Sequence, residues 1–275
     1  MFWKDIIMNK IEFFIDTGDE EYIKKTWKFL LPKLHGREIV GITTNPNAMS
    51  KCNVKTISEF EIKVRNLCKI ISGIRQDDQG VVYVQHPDSN IPPSDLEKWI
   101  ATILTFSDGQ TKVGIKIPPY FPLLNLIEKY KSIIDFNVTG VADCSTASLC
   151  FTYSPRYVSL IPGRMEESGI NAIEQMRYIH QRKSVLKSEL ITGSMRTIEG
   201  LKSAVYCHTI PTIGVRIFDL FFNHPQSDFL DIWNFKDTTE YLKFSPLVDS
   251  RMTGLSIAFF EQMDSMGTEL NKNLQ

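Results

Sequence analysis

The sequence predicts an α/β fold: a single-domain (β/α)8 TIM barrel over residues 1–237, followed by a C-terminal helical extension over 238–275. Three observations carry this expectation. Short apolar runs alternate with longer stretches of helical periodicity, the rhythm of βα units joined into a parallel sheet. About eight such units fit within the chain, the number at which such a sheet closes on itself. No Gly-rich dinucleotide fingerprint follows the first strand, which sets aside an open doubly wound sheet.

The elements follow in order. Ile11–Asp16 reads as the first strand, with an amphipathic segment from Glu20 to Leu34 behind it. Ile39–Thr43 is the second, ending at Thr44-Asn45-Pro46, and Ile57–Gly73 is helical. Val81–Gln85 is the third, and Ser94 stands where it would cap a helix over Asp95–Thr105. Lys112–Ile117, stopped by Pro118-Pro119, is the fourth. Asp135–Val141, Tyr157–Ile161, Glu189–Gly193 and Cys207–Ile210 are weaker candidates for the remaining four. In the extension, Phe259-Phe260 suggests a helix with an apolar face, to pack on a neighbouring subunit or to close the bottom of the barrel.

Charge and composition narrow the function. Lys and Arg total 31 against 32 Asp and Glu, a formal net charge of −1. Bulk electrostatics therefore favour neither nucleic acid nor a membrane surface, and affinity for phosphate must come from local placement of Arg and Ser. Five cysteines without CxxC spacing point to a reducing compartment, with no disulfide framework and no structural zinc. None of the five histidines stands at a metal-ligand spacing, so no metal site is expected. The apolar stretch in Met1–Lys10 is too short for a secretory signal, and no run of 18 apolar residues occurs. A cytoplasmic location is the expectation.

Polar residues stand at nearly every predicted strand end: Asp16, Asn45, Gln85, Lys116, Asn137 with Thr139, Ser159, and Ser194. In a closed barrel those ends converge on one mouth, where active sites of this fold lie. Lys116 is embedded in Val113-Gly114-Ile115-Lys116-Ile117, with no carboxylate within three residues. Desolvation there would lower its pKa and supply the neutral amine needed to attack a ketone; the alternative is an ammonium that snorkels to water. Asp16 suits general acid/base work or the cap of the next helix, and Thr44-Asn45-Pro46 is also a turn signal. Arg164, after Pro162-Gly163, and the run Gly193 to Thr197 with Ser194 and Arg196 suit an anion held by guanidinium and backbone N–H groups. A surface arginine and a Ser/Thr cap would give the same residues. His86 reads as a loop residue.

Taken together these segments resemble the transaldolase family, especially its short members, which include the fructose-6-phosphate aldolases. Phe13 to Thr17 resembles the family's first strand, Ile42 to Pro46 its second, and Val113 to Pro118 its Schiff-base strand. Asn137-Val138-Thr139 is similar to the fifth strand, and Tyr157-Val158-Ser159 through Gly163-Arg164 to the phosphate segment. Gly193 to Arg196, Thr209-Ile210-Pro211 and then His224-Pro225 continue the series in order.

The resemblance implies that Lys116 forms a Schiff base with the C2 ketone of fructose 6-phosphate and that Asp16 handles the proton at the C4 hydroxyl. Asn45 and Asn137 would hold the dihydroxyacetone fragment, and Thr139 a catalytic water. Arg164, Ser194 and Arg196 would hold the phosphate, with Ser159 lining the same site. It further implies transfer to an aldose phosphate such as erythrose 4-phosphate in the pentose phosphate pathway, no cofactor, and a homo-oligomer. The sequence departs from the family at three points. Gln85 stands where transaldolases carry a glutamate, a glutamine shared with the aldolases; an amide orients water but accepts no proton. Ile161 replaces the aldolases' tyrosine and the transaldolases' phenylalanine, and Ala142-Asp143 replaces Phe-Ser, so Asp143 is either a substitute acid/base group or a cap. A fructose-6-phosphate aldolase and a catalytically weak sugar-phosphate-binding barrel are the alternatives.

Overall fold

The computed structural model describes residues 11–36, 38–75, 80–88, 90–183 and 188–223, together with Phe229 and Ile232. The extension over 238–275 and His224-Pro225 lie outside the described residues. The chain runs β1 (Phe13–Asp16), α1 (Glu20–Leu30), β2 (Ile39–Thr43), α2 (Pro46–Lys51), α3 (Ile57–Arg75), β3 (Val81–Gln85) and α4 (Pro93–Leu104). It continues through β4 (Lys112–Ile117), α5 (Phe121–Tyr130), β5 (Phe136–Val141), α6 (Cys144–Thr152) and β6 (Tyr157–Leu160). Then follow α7 (Pro162–Glu167), α8 (Ala172–Lys183), β7 (Glu189–Thr192), α9 (Ile198–Tyr206), β8 (Ile210–Gly214) and α10 (Val215–Asn223). The strands form a closed parallel barrel in sequence order, β8 returning to β1 through Phe14↔Thr212 and Asp16↔Gly214. The expected (β/α)8 barrel is the observed fold.

Alternation along each strand builds two separate cores. Outward residues such as Phe13 and Ile15 join the large cluster under the helices. The helices supply matching stripes, as with Phe60, Val64, Leu67 and Ile71 of α3, all buried at helical spacing. Inward residues fill the barrel itself. Phe14, Tyr83 and Tyr157 meet edge to face, with ring centroids 5.5–5.9 Å apart, and plug the barrel two residues below its mouth. Gly114, inward on β4 at the same level, leaves room for this plug: a Cβ there would overlap the Tyr83 ring. The mouth above is thereby given a solid floor.

The structure corrects two boundary expectations and decides between the two roles open for Asp16. The eighth strand is Ile210–Gly214 rather than Cys207–Ile210. Cys207 instead caps α9, His208 adopts a left-handed φ of 53°, and Thr209 hydrogen-bonds back to the Ala204 carbonyl at 2.9 Å. Pro211 is tolerated within the strand although it donates no ladder hydrogen bond. Helix α4 begins at Pro93 with Pro92 at the cap, so Ser94 lies inside the first turn; a proline suits that start because its φ is already helical. The cap of α1 is Asp19, whose carboxylate accepts from the Tyr22 N–H at 3.0 Å, which leaves Asp16 to the barrel. Among the described residues, no helix is long and apolar enough to cross a membrane.

Candidate active site

The strand ends open into a cavity of about 230 Å³, and all ten residues singled out from the sequence line it: Asp16, Asn45, Gln85, Lys116, Asn137, Thr139, Ser159, Arg164, Ser194 and Arg196. The backbone explains the convergence. Gln85 and Lys116 are register partners on β3 and β4, and Lys116 and Asn137 are partners on β4 and β5. Three cations and one carboxylate face the space, a balance that favours an anionic ligand.

Lys116 is buried, with 9% of its surface exposed, and its Nζ donates to the Thr44 carbonyl at 3.0 Å. Burial pushes its pKa below the 10.5 ordinary for lysine, against a smaller opposing pull from Asp16. A carbonyl partner accepts from either protonation state, so it does not force the amine to stay charged. Among the described residues no cysteine lines the cavity, and burial in the core outside the barrel pushes the thiols of Cys68 and Cys150 up to about 12 and that of Cys207 to about 11.

The polar groups around Lys116 are held by one another. Asp16 accepts from the Thr43 hydroxyl at 2.8 Å, which fixes the carboxylate at the end of β1. Asn45 is both a cap and a cavity residue: its Oδ1 accepts from the Ala48 N–H at 2.9 Å, leaving the amide NH2 for a ligand. Asn137 is treated the same way, its Oδ1 accepting from the Ser159 hydroxyl at 2.6 Å. Thr139 stands at a bulge in β5, where the register to β6 shifts and Gly140 takes a φ of 81°. Gln85 is almost wholly buried beside Lys116.

The arginines stand on the connections that follow β6 and β7, the first of which carries the short helix α7. Arg164 lies in α7 and Arg196 precedes α9, whose cap Thr197 accepts from the Gly200 N–H at 3.0 Å. The two connections touch: a Cβ at Gly163 would overlap the Ser194 carbonyl, so glycine is what permits this approach. Glu167, the last residue of α7, contacts both arginines, at 2.7 Å to Arg196 Nε and 3.5 Å to Arg164 Nη1.

Residues left open by the sequence also find places. Asp143 caps α6, accepting from the Thr146 N–H and hydroxyl at 2.7 Å each, and does not line the cavity. His86 lies against Trp99, its Nδ1 accepting from the Asp88 N–H at 3.1 Å. Ile161 lines the cavity, as do Thr43, Asn47 and Thr212, which the sequence pattern did not single out. Thr43 and Thr212 had a readable signal, since each follows an inward strand position by two residues: Gly41 on β2 and Ile210 on β8.

Fold and site together define a (β/α)8 barrel with a buried lysine amine at its mouth. The sequence model of the transaldolase/fructose-6-phosphate aldolase family matches residues 13–253, and the chain belongs to that family. It is 27% identical over 238 residues to a probable transaldolase of Geobacillus sp. (strain WCH70), covering 82% of this chain and 99% of the relative. A probable transaldolase of Exiguobacterium sp. (strain ATCC BAA-1283 / AT1b) is 25% identical over 232 residues, with 82% and 98% covered. A crystal structure from Coccidioides immitis, of a chain put forward as a fructose-1,6-biphosphate aldolase, superposes with a TM-score of 0.51 at 9% identity. That superposition covers 96% of this chain and 93% of the other, a likeness of fold alone.

Proposed function

We propose that this chain is a Schiff-base transaldolase, moving a dihydroxyacetone unit from a ketose phosphate to an aldose phosphate. The observation that carries the reading is the Lys116 amine, desolvated at the mouth of the barrel and ringed by oriented hydrogen-bonding groups. Its nitrogen lone pair attacks the C2 ketone of fructose 6-phosphate, and loss of water gives the iminium. Asp16 removes the proton of the C4 hydroxyl, the C3–C4 bond breaks, and its electron pair moves into the iminium. Glyceraldehyde 3-phosphate leaves and an enamine remains on Lys116. Carbon C3 of that enamine then attacks the aldehyde of the acceptor, Asp16 returns its proton to the new alkoxide, and water releases the product. The NH2 groups of Asn45 and Asn137 suit the hydroxyls of the retained fragment, and Arg164 with Arg196 suits the phosphate.

A second reading, an aldolase that releases free dihydroxyacetone, is favoured by Gln85. An amide beside Lys116 orients a water without taking its proton. Acceptor dependence separates the two. A transaldolase consumes fructose 6-phosphate only when erythrose 4-phosphate is supplied, whereas an aldolase consumes it alone and accumulates dihydroxyacetone. In the same assay Gln85→Glu is expected to raise the acceptor-dependent rate by about tenfold, because a carboxylate restores general-base help at that position. An unchanged rate would assign the proton transfer to another group.

A further inference from the structure

We propose that Glu167 is a built-in competitor for the phosphate subsite and sets how strongly this protein prefers phosphorylated over unphosphorylated substrates. The inference rests on the proposed function, in that it takes Arg164 and Arg196 as the phosphate-binding pair. Both guanidinium groups line the cavity, yet both already meet one carboxylate: Glu167 Oε1 at 2.7 Å from Arg196 Nε and Oε2 at 3.5 Å from Arg164 Nη1. A single side chain thus spans two connections that Gly163 and the Ser194 carbonyl hold in contact. The carboxylate's own pKa lies below the usual range, chiefly through the Arg196 hydrogen bond, so it is an anion at neutral pH. Arg216, in the first turn of α10, adds a third positive charge that acts on it.

An incoming phosphate needs the same N–H donors and carries up to two negative charges of its own. It must displace Glu167 from Arg196 Nε or bind beside it against repulsion. The alternative role for such a carboxylate is to aim the arginines, and the two roles predict opposite signs. With 47% of the Glu167 side chain exposed, solvent screens the interaction, and the orienting contribution of a surface ion pair is small. The same solvent screens the repulsion of phosphate, so the sign is set by competition: phosphate must take the Arg196 Nε donor from a charged acceptor already 2.7 Å away, and charge-assisted hydrogen bonds are the stronger ones.

The test is calorimetric titration of the full chain with inorganic phosphate, comparing the parent with Glu167→Gln. The glutamine keeps an oxygen that accepts from Arg196 Nε and removes only the charge. Phosphate is expected to bind the variant about three- to tenfold more tightly. In kinetics, the ratio of kcat/KM for glyceraldehyde 3-phosphate over that for glyceraldehyde is expected to rise by the same factor. Equal or weaker phosphate binding by Glu167→Gln overturns the inference while leaving the proposed function intact. If neither protein binds phosphate, the assignment of the two arginines falls, and the inference falls with it.

Discussion

Lys116→Met is expected to lose turnover by at least about 10,000-fold, since no other primary amine among the described residues lines the cavity to carry the covalent step. Methionine keeps most of the buried volume and needs no hydrogen bond. The variant is therefore expected to fold, and to be no less stable than the parent near neutral pH. The sign follows from linkage. Burial holds the folded-state pKa of Lys116 below its unfolded value of 10.5, so between those two values the unfolded chain binds a proton that the folded chain does not. Parent stability should rise with pH through that window, and below it the full desolvation cost is present. Melting temperatures of the two proteins across neutral to alkaline pH should show this rise in the parent and not in the variant. In the parent, the rate of imine formation should also increase with pH and level off below 10.5. Undiminished turnover in Lys116→Met would remove both enzymatic readings.

Asp16→Asn is the second large effect, a fall in kcat of about 100- to 10,000-fold, the usual contribution of a positioned general acid/base. The amide can still accept from the Thr43 hydroxyl, so the end of β1 should keep its geometry. Imine formation does not require this carboxylate, whereas C–C cleavage does. Reduction of the variant with fructose 6-phosphate should therefore trap the uncleaved six-carbon adduct, where the parent traps a three-carbon one. Loss of the Asp16 charge also removes an interaction that favours charged Lys116. The pH dependence of imine formation should shift further down in the variant.

Much of this architecture was readable because barrel strands carry two signals at once: an apolar outward set and a polar end. Lys116 and Gln85 illustrate this. Each stands near the end of a strand whose period-two pattern places it inward, and register then makes them neighbours. The eighth strand starts three residues later than expected because Pro211 breaks the usual strand signal, while Cys207 and His208 imitate one and in fact end a helix. Capping signals were less decisive: Ser94 has capping chemistry but Pro92 takes the cap of α4, while Asp16, open between a cap and the barrel, is freed for the barrel by the better-placed Asp19. Asn45 shows that a cap and a cavity residue need not be alternatives. Glu167 was illegible for another reason. Its contact with Arg164 is local, but Arg196 is 29 residues away and is brought in only by the packing of two connections. Thr43 was missed because a threonine at a strand end is an ordinary strand residue unless the opposite wall is known, and Thr212 because the expected eighth strand stopped at Ile210, two residues short of it.

The measurement that bears most directly on Lys116 as the Schiff-base residue is borohydride reduction in the presence of fructose 6-phosphate, followed by intact mass and peptide mapping. The expected product is a reduced three-carbon adduct on the peptide containing Lys116, which records imine formation and C–C cleavage together. A folded protein that binds sugar phosphate and yields no adduct, or an adduct on another lysine, would contradict the mechanism.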